Sequence, residues 1–379
     1  MLELPPLSLY IHIPWCVRKC PYCDFNSHRM PERLPEQEYI KALTNDLRQE
    51  LDHVQGRKIQ SIFIGGGTPS LFSAESIERI LNQVREYIDF KEGIEITLEA
   101  NPGTAEQQKF ADYKAAGVNR LSIGIQSFNN DSLGSLGRIH NGEQSHHAID
   151  MALQAGFKQI NIDLMHGLPN QSQEGALADI EVAINSGVTH LSWYQLTLEP
   201  NTEFYSKPPP LPTEAELIDI QQSGQLRLQE AGFKQYEVSA FVLNDDYCQH
   251  NMNYWQFGDY LGIGAGAHGK ISLPEQEKII RTKKIRHPQH YLDTANNPST
   301  KIEPVARDEL SLEFMMNALR LKSGVPADFF TERTGLNTKI ISKKILKLQD
   351  QGLLQTVNSR YCTSELGYRF LNSVLQNFY

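Results

Sequence analysis

Short runs of β-branched and aromatic residues alternate with segments of helical periodicity from the start of the chain to residue 241. The runs predict strands at LYIHI from Leu9, IQSIFI from Ile59, IEITLEA from Ile94, RLSIGI from Arg120, QINIDLM from Gln159, HLSWYQLTL from His190 and QYEVSAF from Gln235. Helices are predicted at 36–54, 74–88, 104–116, 143–155, 173–186 and 214–231. Alternation of this kind indicates an α/β fold with a parallel sheet and helices outside it.

Four of the helical segments end in the same way, at Gly117, Gly156, Gly187 and Gly232, and a predicted strand follows each of them. Glycine is the usual residue just beyond a helix end, where the backbone is left-handed. The sheet could be open or closed into a barrel. In a barrel, the chemistry belongs at the carboxyl ends of the strands.

The pattern changes after Phe241. A segment dense in aromatic residues and glycine comes first, a polar, basic stretch follows it, and helical periodicity returns from Asp308. The last segments, with a short strand and a final helix, resemble a winged-helix module. We therefore expect a first domain at 1–240, a segment that covers the site and links the domains at 241–304, and a winged-helix-like domain at 305–379.

Charge and composition restrict the function classes. A net charge of −9 over 379 residues argues against a nucleic-acid binder, and no polybasic membrane patch is visible. The N-terminus lacks the basic segment of a signal peptide, and no apolar run has the length of a membrane span. We expect a cytoplasmic protein with no integral membrane segment.

Three of the five cysteines form C-x3-C-x2-C directly after the first predicted strand, at Cys16, Cys20 and Cys23. Three thiolates on one loop can ligate three irons of a 4Fe–4S cluster and leave the fourth iron open to a small molecule. A zinc site completed by His12 or His28 is an alternative, although zinc sites usually have paired C-x2-C spacing. Unliganded thiols are a further alternative.

A glycine run and several polar residues follow the next strands. IFIGGGTPS ends the second strand, and its glycines let backbone N–H groups approach a charged ligand, although such runs are often only tight turns. Glu99, Gln126 and Asp163 stand at the ends of three later strands. Each could also be a helix cap or turn residue, but three in succession favour a site at one edge of the sheet.

The cysteine spacing, with Tyr22 before the last cysteine, resembles the radical-SAM signature. IHIPWC, GGGTPS, LEANPG, IGIQSF and IDLMHGLP occur in the order found in the oxygen-independent coproporphyrinogen III oxidase family. The resemblance implies a partial, TIM-like (βα)6 barrel with a C-terminal α-rich winged-helix-like domain. It also implies a 4Fe–4S cluster on Cys16, Cys20 and Cys23, whose open iron binds S-adenosylmethionine. The contacts that it implies for S-adenosylmethionine are Tyr10, Tyr22, Gly66, Gly67, Thr68, Glu99, Gln126, Arg138 and Asp163. From the residues alone, Arg138 could equally be a solvated arginine.

Two departures from the oxidase pattern favour the haem chaperone subgroup of this family, HemW. Phe25 stands where the oxidases have a fourth cysteine, and the longer N-terminal extension is missing before Cys16. The subgroup's HNxxYW motif is present, and it implies haem contacts at His250, Asn251, Tyr254 and Trp255. A buried aromatic corner around a hydrogen-bonded histidine is the alternative. We expect the glycine-rich segment 261–269 to close over the pocket, with His268 as a second-choice iron ligand.

The sequence therefore predicts a protein that binds haem and delivers it to an acceptor protein, with an iron–sulfur cluster and S-adenosylmethionine bound. The alternative is an enzyme that converts coproporphyrinogen III to protoporphyrinogen IX by radical oxidative decarboxylation. DNA binding by the C-terminal module is disfavoured, because one helix face with lysines is usually solvated. The acceptor and the oligomeric state, possibly a dimer, stay open.

Overall fold

The computed structural model describes residues 1–103, 109–294, 300–355 and 359–379. Its strands, numbered in chain order, are β1 (Leu7–Ile13), β2 (Trp15–Cys16), β3 (His28–Arg29), β4 (Ile59–Gly66), β5 (Phe90–Ala100), β6 (Arg120–Gln126), β7 (Gln159–His166), β8 (His190–Gln195), β9 (Lys234–Glu237), β10 (Ala240–Val242), β11 (Asp259–Ile263), β12 (His268–Leu273), β13 (Lys278–Lys283), β14 (Lys301–Pro304), β15 (Val325–Pro326) and β16 (Arg360–Tyr361).

The α-helices are numbered in the same way within the described residues. They are α1 (Glu36–Gln49), α2 (Ala74–Tyr87), α3 (Phe110–Ala115), α4 (Asn130–Ser135), α5 (Gly142–Gln154), α6 (Gln173–Asn185), α7 (Glu203–Ser206), α8 (Glu214–Glu230), α9 (Gln249–Trp255), α10 (Pro288–Asp293), α11 (Leu310–Ala318), α12 (Asp328–Thr334), α13 (Lys339–Asp350), α14 (Glu365–Arg369) and α15 (Leu371–Leu375). Of the predicted helix 104–116, residues 104–108 lie outside the described part of the chain. None of the described helices is long and apolar enough to cross a membrane.

One sheet of 12 strands organises the described residues, in the order β14-β13-β12-β11-β1-β4-β5-β6-β7-β8-β10-β9. The strands from β11 to β8 in this order run parallel, and the outer strands on both sides are antiparallel. The predicted α/β fold with a parallel sheet is confirmed. Among the described residues its edge strands are β14 and β9, so the sheet is not closed into a complete barrel, as a partial barrel requires. Strand β1 is almost entirely buried, as expected where both faces of a parallel sheet are covered.

The last predicted strand, QYEVSAF, is wrong as a single element. The chain turns at residues 238–239, and β9 and β10 form an antiparallel hairpin that pairs with β8. The Ser239 hydroxyl donates to the Glu237 carboxylate across this turn (3.1 Å), and the Trp193 N–H donates to the Ser239 carbonyl (2.7 Å). These bonds stabilise the turn in a run whose residue types alone favour an extended strand.

The glycine-rich segment 261–269 contributes to the sheet as well as to a cavity wall. Its first three residues belong to β11, which runs parallel to β1. Gly262 is required there, because a Cβ atom would lie 1.9 Å from the His268 carbonyl oxygen. Gly266 and His268, at the end of the segment, line a cavity beside β1.

Two of the three hydrophobic clusters in the described residues contain most of the buried core. The larger lies between the sheet and the helices of the first part of the chain. The smaller joins helices α11–α13 to Leu2, Phe257 and Ile279. The described C-terminal elements follow the order α11-β15-α12-α13-β16-α14-α15, with an isolated bridge between Leu354 and Thr363. The boundaries near 240 and 304 remain predictions.

Candidate functional site

The cysteine loop leaves the carboxyl end of β1 and is closed by the pairing of β2 with β3. Trp15 is buried next to Tyr39 and Phe72, which anchors the start of the loop in the core. The thiols of Cys16, Cys20 and Cys23 are half-buried and line a cavity of about 400 Å³. The loop therefore holds all three predicted ligands at one cavity, next to the carboxyl end of β1.

Burial raises the pKa of Cys16 to about 11 and also raises the pKa of Cys23. Both thiols are therefore protonated near neutral pH, and a bound metal would have to displace their protons. Among the residues that the structure describes, no group of three His, Cys, Asp or Glu side chains could hold a single metal ion. A 4Fe–4S cluster does not require one, because each cysteine ligates a different iron.

The glycine run at the end of β4 packs directly against the cysteine loop. The N–H groups of Gly67 and Thr68 donate to the carbonyls of Ile13 and Trp15 (2.8 and 2.7 Å). A Cβ atom on Gly67 would lie 2.5 Å from the Trp15 oxygen, and Gly66 has φ +116°. Larger side chains here would push the cysteine loop away from the cavity. The run is thus built for close approach of the two segments that carry the predicted cofactor contacts.

Arg138 lies half-buried against the cysteine loop. One guanidinium nitrogen donates to Asn101 Oδ1 (2.7 Å) and the Gly124 carbonyl (2.6 Å), and another lies 3.7 Å from Cys20 Sγ. Within the described residues, its buried Nε has no hydrogen-bond partner. A cavity-lining guanidinium with an unused donor suits a ligand carboxylate.

The polar residues at the ends of β5, β6 and β7 converge on the same cavity. Burial and the nearby Asp163 raise the pKa of Glu99 to about 7, and burial raises the pKa of Asp163. The Gly66 N–H donates to Glu99 (3.0 Å), and Gln126 accepts from the Tyr194 hydroxyl (2.8 Å). Buried carboxylates that are not fully paired with cationic side chains favour a ligand that carries positive charge.

Eight of the nine predicted S-adenosylmethionine contacts line this smaller cavity. They are Tyr22, Gly66, Gly67, Thr68, Glu99, Gln126, Arg138 and Asp163. Tyr10 instead lines a neighbouring cavity, where its hydroxyl hydrogen-bonds His12 Nδ1 (2.9 Å). Gly66 and Glu99 border both cavities, whereas Tyr10 borders only the larger one.

The neighbouring, larger cavity has a volume of about 1070 Å³ and shares Phe25, Gly66 and Glu99 with the smaller one. Aromatic side chains form one wall, from Tyr10, Tyr254 and Tyr260. Cationic side chains line it beside the outer strands β13 and β14. They come from Lys283, Arg286 and Lys301. This combination suits a large planar ligand with anionic groups at one end.

The HNxxYW motif forms helix α9, and its residues do not share one environment. Asn251 and Trp255 line the smaller cavity, and Tyr254 lines the larger. His250 is 1% exposed, and both ring nitrogens are engaged, with Ser61 Oγ (3.1 Å) and Tyr254 Oη (2.8 Å). Among the described residues around the two cavities, His250 is in the wall of neither. Iron ligation by His250 remains a prediction, and it would require Tyr254 to move.

Known proteins resemble the chain over its full length. A sequence model of the radical SAM superfamily matches residues 10–183, and a model of the HemN C-terminal domain matches residues 305–370. A protein named heme chaperone HemW from Haemophilus influenzae is 50% identical and covers 100% of this chain and 99% of its own length. The protein of that name from Escherichia coli is 47% identical with the same coverage. The chain belongs to the HemW family.

More distant HemW relatives and a solved structure extend the likeness. HemW from Bacillus subtilis is 33% identical, with 98% of both chains covered. Coproporphyrinogen III oxidase, HemN, from Escherichia coli superposes with a TM-score of 0.82 over 99% of this chain and 90% of its own, at 22% identity. At this identity, the match shows that the HemW family member has the HemN fold, and no more.

Several polar residues of the smaller cavity were not predicted from the sequence. They are Asn101, Arg120, Ser122, Asn161, His190, Ser192 and Tyr194. Most stand two residues apart on strands, and residues two apart in a strand share a face. The alternation along β6, β7 and β8 was therefore a signal that could have found them, starting from Gln126 and Asp163.

Proposed function

We propose that this protein is a haem chaperone that binds haem and transfers it to an acceptor protein. In this proposal it carries a 4Fe–4S cluster on Cys16, Cys20 and Cys23, with exchangeable S-adenosylmethionine beside it. The observation that carries the proposal is a large cavity with an aromatic wall and a cationic rim next to the cavity of the three cysteines. The names of its HemW relatives support the same function.

The smaller cavity has the donors that a cluster with S-adenosylmethionine requires. Three thiols could ligate iron, Arg138 offers a guanidinium for a carboxylate, and Glu99 offers a carboxylate for a cationic group. When bound, such a cluster supplies an electron and an open iron site. The protein's own residues bind, orient and shield these groups.

The larger cavity suits haem in size and in the placement of its polar groups. Ligand cavities of about 300–1,000 Å³ are usual for organic ligands, so this one, at about 1070 Å³, is large. Tyr10, Tyr254 and Tyr260 could cover the macrocycle, and the cationic rim could receive its two propionates. Phe25 is 60% exposed and borders both cavities.

A haem titration of the full-length protein, with its cluster reconstituted under anaerobic conditions, tests the proposal. We expect saturable binding near one haem per chain and a visible spectrum that differs from that of free haem. Transfer would be followed by mixing the loaded protein with an apo-haemoprotein. Non-saturable binding with the spectrum of free haem would contradict the chaperone function.

Radical oxidative decarboxylation of coproporphyrinogen III is the second candidate function. The HemN fold and a macrocycle-sized cavity beside the cysteines favour it. Phe25 counts against it, because the oxidase pattern has a fourth cysteine at this position. Formation of protoporphyrinogen IX by the reconstituted protein under reducing, anaerobic conditions would establish this activity.

The raised pKa of Glu99, about 7, makes a pH dependence of S-adenosylmethionine binding testable. S-adenosylmethionine carries positive charge, so the ionised carboxylate favours its binding and the protonated form does not. We expect affinity to rise about tenfold between pH 6 and pH 8, as the carboxyl group loses its proton. Isothermal titration calorimetry of the cluster-reconstituted protein at several pH values measures this change in affinity.

The Glu99→Gln variant is the control for this prediction. Any pH dependence that comes from the ligand's own groups persists in the variant, and the part that comes from Glu99 disappears. Equal pH profiles for the two proteins would show that Glu99 does not titrate against the ligand.

Four further statements remain predictions from the sequence. They are a cytoplasmic location, a protein acceptor for the haem, the absence of nucleic-acid binding and a possible dimer.

A further inference from the structure

We infer that His268 ligates the iron of haem in the larger cavity and that Lys283 and Lys301 bind its propionates. The inference rests on the proposed function, since it requires that the chain binds haem. It assigns the iron ligand to strand β12 rather than to the HNxxYW motif on helix α9.

The three residues form a row across the outer part of the sheet. His268 on β12 is the direct partner of Lys283 on β13, and Lys283 is the direct partner of Lys301 on β14. Direct partners in neighbouring strands point to the same face of a sheet. All three side chains are exposed, and all three line the larger cavity.

The spacing of this row suits a macrocycle that lies over the strands. Neighbouring strands are about 4.8 Å apart, so Lys301 stands about 10 Å from His268 across the sheet. Iron above His268 would place the ring over β13 and β14, with its propionates toward the free edge of the sheet. The apolar remainder of the ring would then face Tyr10 and Tyr254.

His268 is the histidine of this cavity with free ring nitrogens. Within the described residues, its imidazole makes no hydrogen bond. His12, which also lines the cavity, is 5% exposed and uses both nitrogens, with Tyr10 Oη and the Asn26 carbonyl (2.9 Å each). Partial burial and the nearby Lys283 and Arg281 lower the pKa of His268. Its imidazole is therefore neutral near pH 7, and this is the form that ligates iron.

The charges around the cavity favour one orientation of the haem. Lys283 and Lys301 now share Glu303 (3.2 and 2.7 Å), and such exposed ion pairs are weak, so propionates can compete for the lysines. Arg286 adds a cation on the same side. The carboxylates of the cavity, Asp24 and Glu99, belong to the cysteine loop and to β5, away from this edge.

His250 acts as a positioning residue in this arrangement. Its Nε2 is hydrogen-bonded to Tyr254 Oη (2.8 Å), and Tyr254 packs edge-on against Tyr260 (ring centroids 4.5 Å apart). Removal of the imidazole would loosen the aromatic wall without removing an iron ligand. His250→Ala should therefore weaken haem binding but leave the ligation spectrum unchanged.

Haem titration of four full-length proteins tests the iron ligand, with visible absorption and electron paramagnetic resonance as readouts. The proteins are the wild type, His268→Ala, His250→Ala and, as a control, His147→Ala, which removes an exposed histidine on α5 away from both cavities. We expect His268→Ala to lower haem affinity at least tenfold and to lose the histidine-ligated spectrum. Added imidazole should restore that spectrum in His268→Ala, which separates lost ligation from misfolding.

The possible outcomes separate the inference from the proposed function. If the wild type binds haem and only His250→Ala loses the histidine-ligated spectrum, the inference is overturned and the proposed function stands. The same holds if neither variant changes the spectrum. If the wild type binds no haem, the proposed function fails and the inference fails with it.

A comparison of haem with its dimethyl ester tests the propionate contacts. The ester lacks the two carboxylates, so it should bind the wild type more weakly than haem does. A Lys283→Ala/Lys301→Ala double variant should lose severalfold affinity for haem and none for the ester. The Lys339→Ala/Lys343→Ala variant, on helix α13 outside the cavity, should bind both as the wild type does. If the Lys283→Ala/Lys301→Ala variant loses equal affinity for haem and for the ester, the proposed contacts between these lysines and the propionates are wrong.

Discussion

Replacement of Cys16, Cys20 or Cys23 by alanine is expected to abolish assembly of the iron–sulfur cluster. The three thiols line the smaller cavity, and in the proposed cluster each would ligate a different iron. Loss of any one leaves two irons without a protein ligand. Iron content after anaerobic reconstitution should fall from ~4 atoms per chain to near zero. S-adenosylmethionine binding should fall with it, because its iron contact is lost.

Cys248→Ala and Cys362→Ala are the matched controls, since both cysteines are buried away from the cavity. Cys248 Sγ donates to Glu95 (3.6 Å), and burial raises the pKa of this thiol to about 12, as for an inert core cysteine. Both variants should retain full iron content. Metal analysis also separates the alternatives, because a zinc site would give about one zinc per chain and little iron. Full iron content in any one of the three loop variants would refute the ligand assignment.

Asp259→Ala is expected to lower the free energy of unfolding by about 3–5 kcal/mol, because it leaves buried cations without a counter-charge. Asp259 is fully buried at the start of β11 and binds Lys270 (2.9 Å) and Arg57 (2.8 Å). It also accepts from the N–H and hydroxyl of Ser272 (2.8 and 2.9 Å). The Lys270 side chain is 2% exposed, so water cannot replace the lost carboxylate.

Urea denaturation of the wild type and the variant measures this loss. Glu365→Ala is the control, because its ion pair with Lys322 is exposed and such pairs contribute about 0–1 kcal/mol. A loss of less than about 1 kcal/mol for Asp259→Ala would show that the buried cations find other partners.

The contribution of Asp259 to the free energy of unfolding should also depend on pH. Burial alone would raise the pKa of Asp259, but Lys270 and Arg57 lower it below its ordinary value. A carboxyl group with a lowered folded-state pKa contributes stability above its unfolded pKa, which is ~3.9, and loses it as pH falls through the folded value. Asp259→Asn should therefore show a smaller loss of stability on acidification below that pH than the wild type does.

The sequence by itself determined the features that depend on local spacing. The alternation of strands and helices predicted the parallel sheet, because periodicity follows from which face of an element is buried. The cysteine spacing, the glycine run and the polar strand ends predicted one site, because the carboxyl ends of parallel strands meet at one edge. Eight of the nine S-adenosylmethionine contacts that the family resemblance implied also line that cavity.

The tertiary structure alone decided the features that depend on strand order and on distant partners. One ring nitrogen of His250 is hydrogen-bonded to Ser61, which lies 189 residues earlier in the chain. Tyr10 lies in the second cavity because β11 pairs with β1 on the side away from β4. The row of His268, Lys283 and Lys301 exists because three antiparallel strands pair in a fixed register. Local periodicity contains neither the order of strands nor their register, so no reading of neighbouring residues could supply these contacts.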